Sequence, residues 1–319
     1  SYDQVASGSW EMYGVVYNAA DGDLEVSAYN DVYDLASASY DSKTLSTSSQ
    51  DSVPLDMAFN NDGTKVYMSG AASDSVYQYT LSTAWDVSTG TLAGNFIYSS
   101  QDGNGRGIAF NNDGTKLYIA GATNDRVFQY SLSTAFNVTT GSYDSVNLSI
   151  SSQETEVMAI AFGDNGSKFY LIGTTNNSVF QYSLTTPYAI NTATYTGTSF
   201  SVASQESYPS GLAFSDDGTK MFVCGYLNDK VYLYNLTTAW DLSTASYSSV
   251  DFSVASQQTT PQGMALGSGG AKMYIVGESP SAIFQYSIGT GVSAPTGYQP
   301  VHTTASIDST YWTDINSMT

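Results

Sequence analysis

Cysteine is almost missing from this sequence. Cys224 stands alone in the apolar run KMFVCG, so no disulfide can form within the chain, and the residue reads as a small buried hydrophobe. Histidine is equally scarce: His302, in a polar tail, is the only one, which leaves zinc sites and histidine-based triads without their parts. Lys and Arg number nine against 29 acidic residues, a net charge of −20. Phosphate binding needs clustered bases, so this balance argues against nucleic acid and equally against an anionic membrane surface. No apolar run approaches the ~20 residues of a membrane helix, and no signal peptide opens the chain, so membrane insertion is not expected. Charged residues are 12% in all, about half the usual share. Such a surface suits a saline medium, where counter-ions screen self-repulsion.

What the chain does have is repetition. AFNNDGTK occurs at residues 58–65 and again at 109–116, with looser versions starting at 161, 213 and 265. Gln50, Gln101, Gln153, Gln205 and Gln257 close similar Ser-rich stretches at spacings of 51, 52, 52 and 52. Between successive glutamines lie four short apolar segments, in one copy GLAF, KMFVCG, KVYLYNL and SVDFSVA, each bounded by Gly, Asp, Asn or Ser. Four strands per repeat of this length predict an all-β fold, a β-propeller of four-stranded blades. QVAS at 4–7 matches SVAS at 253–256, and the last copy, 261–287, has only three strands. The expectation is a ring closed by the N-terminal strand 1–7, with six blades, the first of them (8–50) degenerate because its second strand is missing. The propeller is expected to span 1–288. Residues 289–319 abandon the period and read as a linker or the start of a further domain.

Several repeated residues have a structural reading. Asp62–Gly63, Asp113–Gly114 and Asp217–Gly218 sit between two strands, where a tight hairpin needs positive φ. The lysines two places on (Lys65, Lys116, Lys168, Lys220, Lys272) are expected to be structural, pairing with the turn aspartate. The alanine opening each motif suits an inner strand crowded near the axis. Trp85–Asp86, Trp240–Asp241, Phe136–Asn137 and Tyr33–Asp34 recur in register, which assigns them a core or turn role in every blade.

At AFNNDGTKLYIAG and VFQYSLSTAFNVTTGSY the chain resembles YVTN-type β-propeller repeats, over about 280 residues. The Ala-aromatic-Asp/Asn signature after the third strand is similar to repeats in tail-fibre and other virion surface proteins of marine bacteriophages. The resemblance implies a virion surface or extracellular location and carries over no catalytic residue.

Lactonase and hydrolase propellers gather histidines, carboxylates or a metal in the central channel, and this repeat region contains no histidine. The best constellation is the acidic series after the glutamines, Asp51, Asp102, Glu154 and Glu206, broken by Gln258. A ring of such oxygens near the axis could hold Ca²⁺; polar turn residues are the plainer reading, and no other cofactor is expected. The loops carrying this series also diverge most, and varied loops on a rigid scaffold are where binding usually resides. They put Trp10, Asp102, Arg106, Glu154, Glu206 and Tyr208 forward as ligand or partner contacts. The resulting expectation is a non-enzymatic virion or cell-surface propeller serving in structure or adhesion, such as a phage tail or capsid surface protein. Its partners would be host surface glycan or neighbouring virion proteins. Alternatives are an extracellular bacterial adhesin or polysaccharide-binding propeller, and a lactonase-like hydrolase.

Overall fold

The computed structural model describes residues 32–289 and two short strands, Gly14–Tyr17 and Leu24–Ser27. Residues 54–97, 105–149, 157–201 and 209–253 each fold as one four-stranded antiparallel sheet with its strands in chain order. A fifth sheet combines three strands of 261–287 with Ser39–Ser46. The innermost strands neighbour one another in cyclic order, so the five sheets form the blades of a propeller around a central channel.

The blade number corrects the sequence expectation of six. Residues 33–46, assigned above to a degenerate first blade, supply the turn and the outer strand of the fifth: Leu45 pairs with Ile283 and Tyr40 with Tyr286. The ring is therefore closed by Ser39–Ser46. The strand 1–7 expected there lies outside the described residues, and the place it was to fill is taken. Gly14–Tyr17 and Leu24–Ser27 pair with each other and, among the described residues, join no blade. The linker expected over 289–319 also lies outside the described residues, apart from Gly289.

Each repeat folds for reasons visible in blade four. Asp217 Oδ1 accepts from the N–H of Thr219 at 3.0 Å and from its hydroxyl at 2.8 Å, which fixes the hairpin. Gly218 has φ +70°, and the ring of Trp240 lies over it so closely that an added Cβ would come within 2.3 Å. Trp240 itself is held at φ +62°, and Asp241 caps the single-turn 3-10 helix Leu242–Thr244 by accepting from Ser243 N at 3.0 Å. Trp85, Phe136 and Tyr33 repeat this arrangement, with Asp86, Asn137 and Asp34 as caps. The recurrent aromatic–Asp/Asn pairs thus form the turn into the outer strand of four blades, and in blade three Tyr188 keeps the turn while Ala189 provides no side-chain cap.

Two of the lysines pair away from the turn. Lys116 Nζ lies 2.7 Å from Asp144 and Lys272 Nζ 2.7 Å from Asp41, both on outer strands. The turn carboxylates curl back onto the Thr two places on, as Asp62 does on Thr64 N at 3.0 Å. Blades are joined by a ring of buried tyrosines. Tyr67, Tyr118, Tyr170 and Tyr274 each donate to the backbone carbonyl of the next blade's turn aromatic at 2.6–2.7 Å. Burying such a side chain contributes roughly 2–3 kcal/mol. Phe222 fills the fifth joint without a hydroxyl. Cys224 lies wholly inside the same interface, and burial pushes its thiol up to about 12, so it is inert at neutral pH.

Candidate functional site at the channel mouth

Every described inner strand carries a bulge near its start: register slips between Pro54 and Asp56, Gly105 and Ile108, Val157 and Ala159, Pro209 and Gly211, and Pro261 and Gly263. A bulge adds one unpaired residue and re-aims its side chain. The residues so affected include Leu55, Arg106, Met158, Ser210 and Gln262, one per blade. Two further positions flank each bulge. The N–H of residue 71, 122, 174, 226 or 278 donates to the carbonyl of residue 53, 104, 156, 208 or 260 of the same blade. These pairs bring the link between blades beside the hairpin joining the second and third strands.

Together the three positions surround a depression of about 350 Å³ at the mouth of the channel, on the side of the inter-blade loops. Blade one provides an apolar floor through Val53, Leu55 and Ala71. Blade four provides a wall, where the rings of Tyr208 and Tyr226 stand 5.0 Å apart. Gln262 of blade five donates to Glu278 at 2.6 Å, and blade two contributes Asn104 and Arg106. The Arg106 guanidinium reaches toward blade three, 3.7 Å from the Glu156 carboxylate and 3.1 Å from Met158 Sδ. Two polar atoms of this lining are buried without a hydrogen-bond partner, Arg106 Nε and Gln262 Oε1. Leaving such atoms unpaired costs about 1–3 kcal/mol each, which a polar ligand that reaches them would offset.

Of the residues put forward from sequence, Arg106 and Tyr208 meet in this depression. Asp102, Glu154 and Glu206 do not line it: each is at most 2% exposed. Glu154 accepts from the N–H groups of Thr155, Glu156, Thr175 and Asn176 at 2.9–3.2 Å, which clamps the two loops of its blade together. Asp102 does the same for Asn104 and Asn124, and Glu206 for Tyr208 and Asn228. Asp51 binds Val53 and Ser73. Gln258 takes the corresponding place with its neutral amide, accepting from Thr260 N and Ser279 N at 3.1 Å. The carboxylates suggested as a Ca²⁺ ring thus act as separate backbone clamps, one per blade, with Gln258 as the fifth. Among the described residues no group of three His, Cys, Asp or Glu side chains could hold a metal ion. Trp10 lies outside the described residues.

Sequence reasoning missed Tyr226, Gln262 and Glu278. A signal existed. Residues 71, 122, 174, 226 and 278 read Ala, Ala, Thr, Tyr and Glu, and residues 55, 106, 158, 210 and 262 read Leu, Arg, Met, Ser and Gln, in a repeat otherwise close to uniform.

The opposite mouth is of another kind. Its cavity of about 440 Å³ is lined by all five recurrent alanines and by Phe59, Phe110, Phe162, Phe214 and Leu266. These large side chains pack on the neighbouring blade, as Phe59 does on Tyr274 at 4.4 Å and Phe110 on Tyr67 at 4.5 Å. The lining is periodic and belongs to the core of the ring.

No protein-family model matches the sequence, and no curated protein matches it. Solved structures do resemble it in shape. A Bacteroides uniformis protein provisionally assigned as a 6-phosphogluconolactonase is 14% identical with a TM-score of 0.47, over 72% of this chain and 65% of its own. A Lactobacillus plantarum protein is 15% identical at 0.48, over 73% and 67%. The β-propeller domain of Cps50 (Swd1) from Myceliophteria thermophila is 11% identical at 0.45, over 77% and 98%. This chain thus spans less than two thirds of the Bacteroides protein. The fold assignment rests on the five sheets themselves.

Proposed function

We propose that this is a non-catalytic binding propeller of a virion or cell surface, which contacts host glycan through the channel mouth at the inter-blade loops. One observation carries the reading. All nine residues lining that mouth come from three positions of the repeat, and those positions diverge while the hairpins, caps and tyrosine joints recur. A rigid frame with variable side chains at one place is the arrangement of a recognition surface.

The ends of the described ring support the orientation. Tyr33 N donates to Gly270 O at 2.9 Å and Ile288 N to Ala271 O at 3.0 Å, so both flanking segments join at the hairpin face, opposite the variable mouth. A ring tethered there presents the mouth outward. The reading is favoured over a lactonase-like hydrolase because the mouth offers no free acid–base pair: Glu156 engages Arg106 and Glu278 engages Gln262.

The test compares binding of fluorescently labelled protein to host cells for the parent, for Arg106→Ala with Tyr208→Ala, and for Asn61→Ala on the hairpin face. Loss confined to the mouth variant supports the proposal, whereas loss confined to Asn61→Ala refutes the assigned face. Binding that survives glycan removal but not protease treatment of the cells makes the partner a protein. Lactones and phosphoesters are expected to show no turnover above background, and a rate abolished by Glu278→Gln would make the protein an enzyme.

A further inference from the structure

From the chemistry of the mouth we infer its ligand class: a single uncharged sugar ring, the terminal or a projecting residue of a neutral glycan. The inference rests on the reading of this mouth as the binding surface. A volume of about 350 Å³ stands at the lower end of the ~300–1,000 Å³ usual for ligand pockets, which suits one substituted ring better than a length of polymer.

The lining offers both kinds of surface that a pyranose presents, apolar and polar. Tyr208 and Tyr226 of blade four, their rings 5.0 Å apart, and Leu55 of blade one offer apolar surface for the ring's C–H groups. Polar groups come from blade five, where Gln262 and Glu278 are joined at 2.6 Å, and from Arg106 of blade two. An amide beside a carboxylate presents a donor and acceptors to adjacent hydroxyls, each of which can both give and take a hydrogen bond. The residue Gln262 is only 6% exposed, and its Oε1 has no partner. A hydroxyl donor that reaches this oxygen would satisfy it, whereas a purely apolar ligand would leave it unmet.

Charge sets the second part of the specificity. Glu156 already stands 3.7 Å from the Arg106 guanidinium, Glu278 lines the pocket, and the chain carries a net −20. An acidic sugar would face repulsion from Glu278 and from the overall field, with the one cation already engaged. Neutral sugars meet no such penalty.

The probes are methyl glycosides of glucose, galactose, mannose and N-acetylglucosamine, with glucuronic acid as the charged comparison. Saturation-transfer NMR and calorimetry on the full chain are the readouts. At least one neutral glycoside is expected to bind in the millimolar to high-micromolar range and to compete with cell attachment. Tyr208→Ala and Gln262→Leu should each weaken it about tenfold, roughly the worth of one lost specific contact, while Asn61→Ala leaves it unchanged. Thermal melts confirm that each variant is folded, and Tyr208→Phe, which keeps the ring, should retain most of the affinity. Transfer from no neutral glycoside, affinity undiminished in folded Tyr208→Ala protein, or a preference for glucuronic acid overturns the inference. Cell attachment lost in the mouth variant yet insensitive to every sugar would overturn it and leave the binding face intact.

Discussion

Asp56 is the one carboxyl in the inner ring where the other blades carry Gly107, Ala159, Gly211 and Gly263, and replacing it by Asn should remove a strong pH dependence of stability. The residue is 3% exposed. Its Oδ2 accepts from Ile108 N at 2.9 Å, and a Cβ on Gly263 of the neighbouring inner strand would come 2.8 Å from its Oδ1. Burial drives its pKa up from 3.8 to about 8, the backbone N–H bonds lowering it only in part. The folded state therefore holds the proton more tightly than the unfolded chain. The stability this gives is full below about pH 4 and is lost as pH rises toward 8. A shift near four units corresponds to about 5 kcal/mol, falling by ~1.4 kcal/mol per pH unit across that window and constant above it. Asp56→Asn keeps the shape and stays neutral throughout. Denaturant unfolding of both proteins at pH 5, 6, 7, 8 and 9 gives a difference curve in which other titrating groups cancel. The expected curve rises in favour of Asn by a few kcal/mol between pH 5 and 8, then levels. A flat difference, or one favouring Asp at pH 9, would refute the reasoning.

The remaining expectations concern the frame. Gly218→Ala places a side chain at φ +70° beneath the Trp240 ring and should cost roughly 2–4 kcal/mol, with a red shift of tryptophan emission; an unchanged melt would show the turn to be tolerant. Glu154→Ala leaves four loop N–H groups without their acceptor and should cost roughly 3–5 kcal/mol, while EDTA leaves the melting temperature of the parent unchanged; a rise with added Ca²⁺ would restore the cation site. Beginning the chain at Ser48 removes the closing strand and should abolish cooperative unfolding, with rescue by a peptide of residues 39–46; a truncated protein as stable as the parent would contradict closure by that strand. Lys116→Met breaks a partly buried ion pair, in which Asp144 keeps its bonds from Ser131 and Gln129, and should change stability by about 1 kcal/mol, read from denaturant midpoints.

The architecture was legible because a repeat multiplies weak signals. One AFNNDGTK is a hairpin; five in register are a ring, and the Asp–Gly turn and the aromatic–Asp cap follow from local backbone demands that a sequence expresses directly. Blade number was not legible in the same way. Gln50 belongs to the same series as Gln101, so what precedes it, SYDSKTLS, is an outer strand like GSYDSVNLS at 141–149. The same letters serve equally as the end of a first blade or as the missing strand of the last, and only long-range pairing with Phe284 and Tyr286 decides between them. The match of QVAS to SVAS offered a competing closure that periodicity alone could not reject.

The site divides along a similar line. Divergence among the inter-blade loops located the variable mouth, and with it Arg106 and Tyr208. The carboxylates of those loops were put forward with them, and the structure places these away from the mouth for a physical reason. Asp102, Glu154 and Glu206 are carboxylic side chains, yet each is almost fully buried, because the two loops that meet in each blade have N–H groups in need of an acceptor. A carboxylate at this position answers that need, and Gln258 shows that a neutral amide answers it too. Their recurrence in five blades marks a requirement of the frame. What is free to differ lies beside the clamp: Tyr226 in place of Ala71 or Ala122, and Gln262 and Arg106 at a bulge where the backbone already turns the side chain toward the channel. In a repeat protein the residues common to all copies account for the scaffold, and a binding site is more profitably sought where one copy departs from the rest at a position whose backbone is held in common.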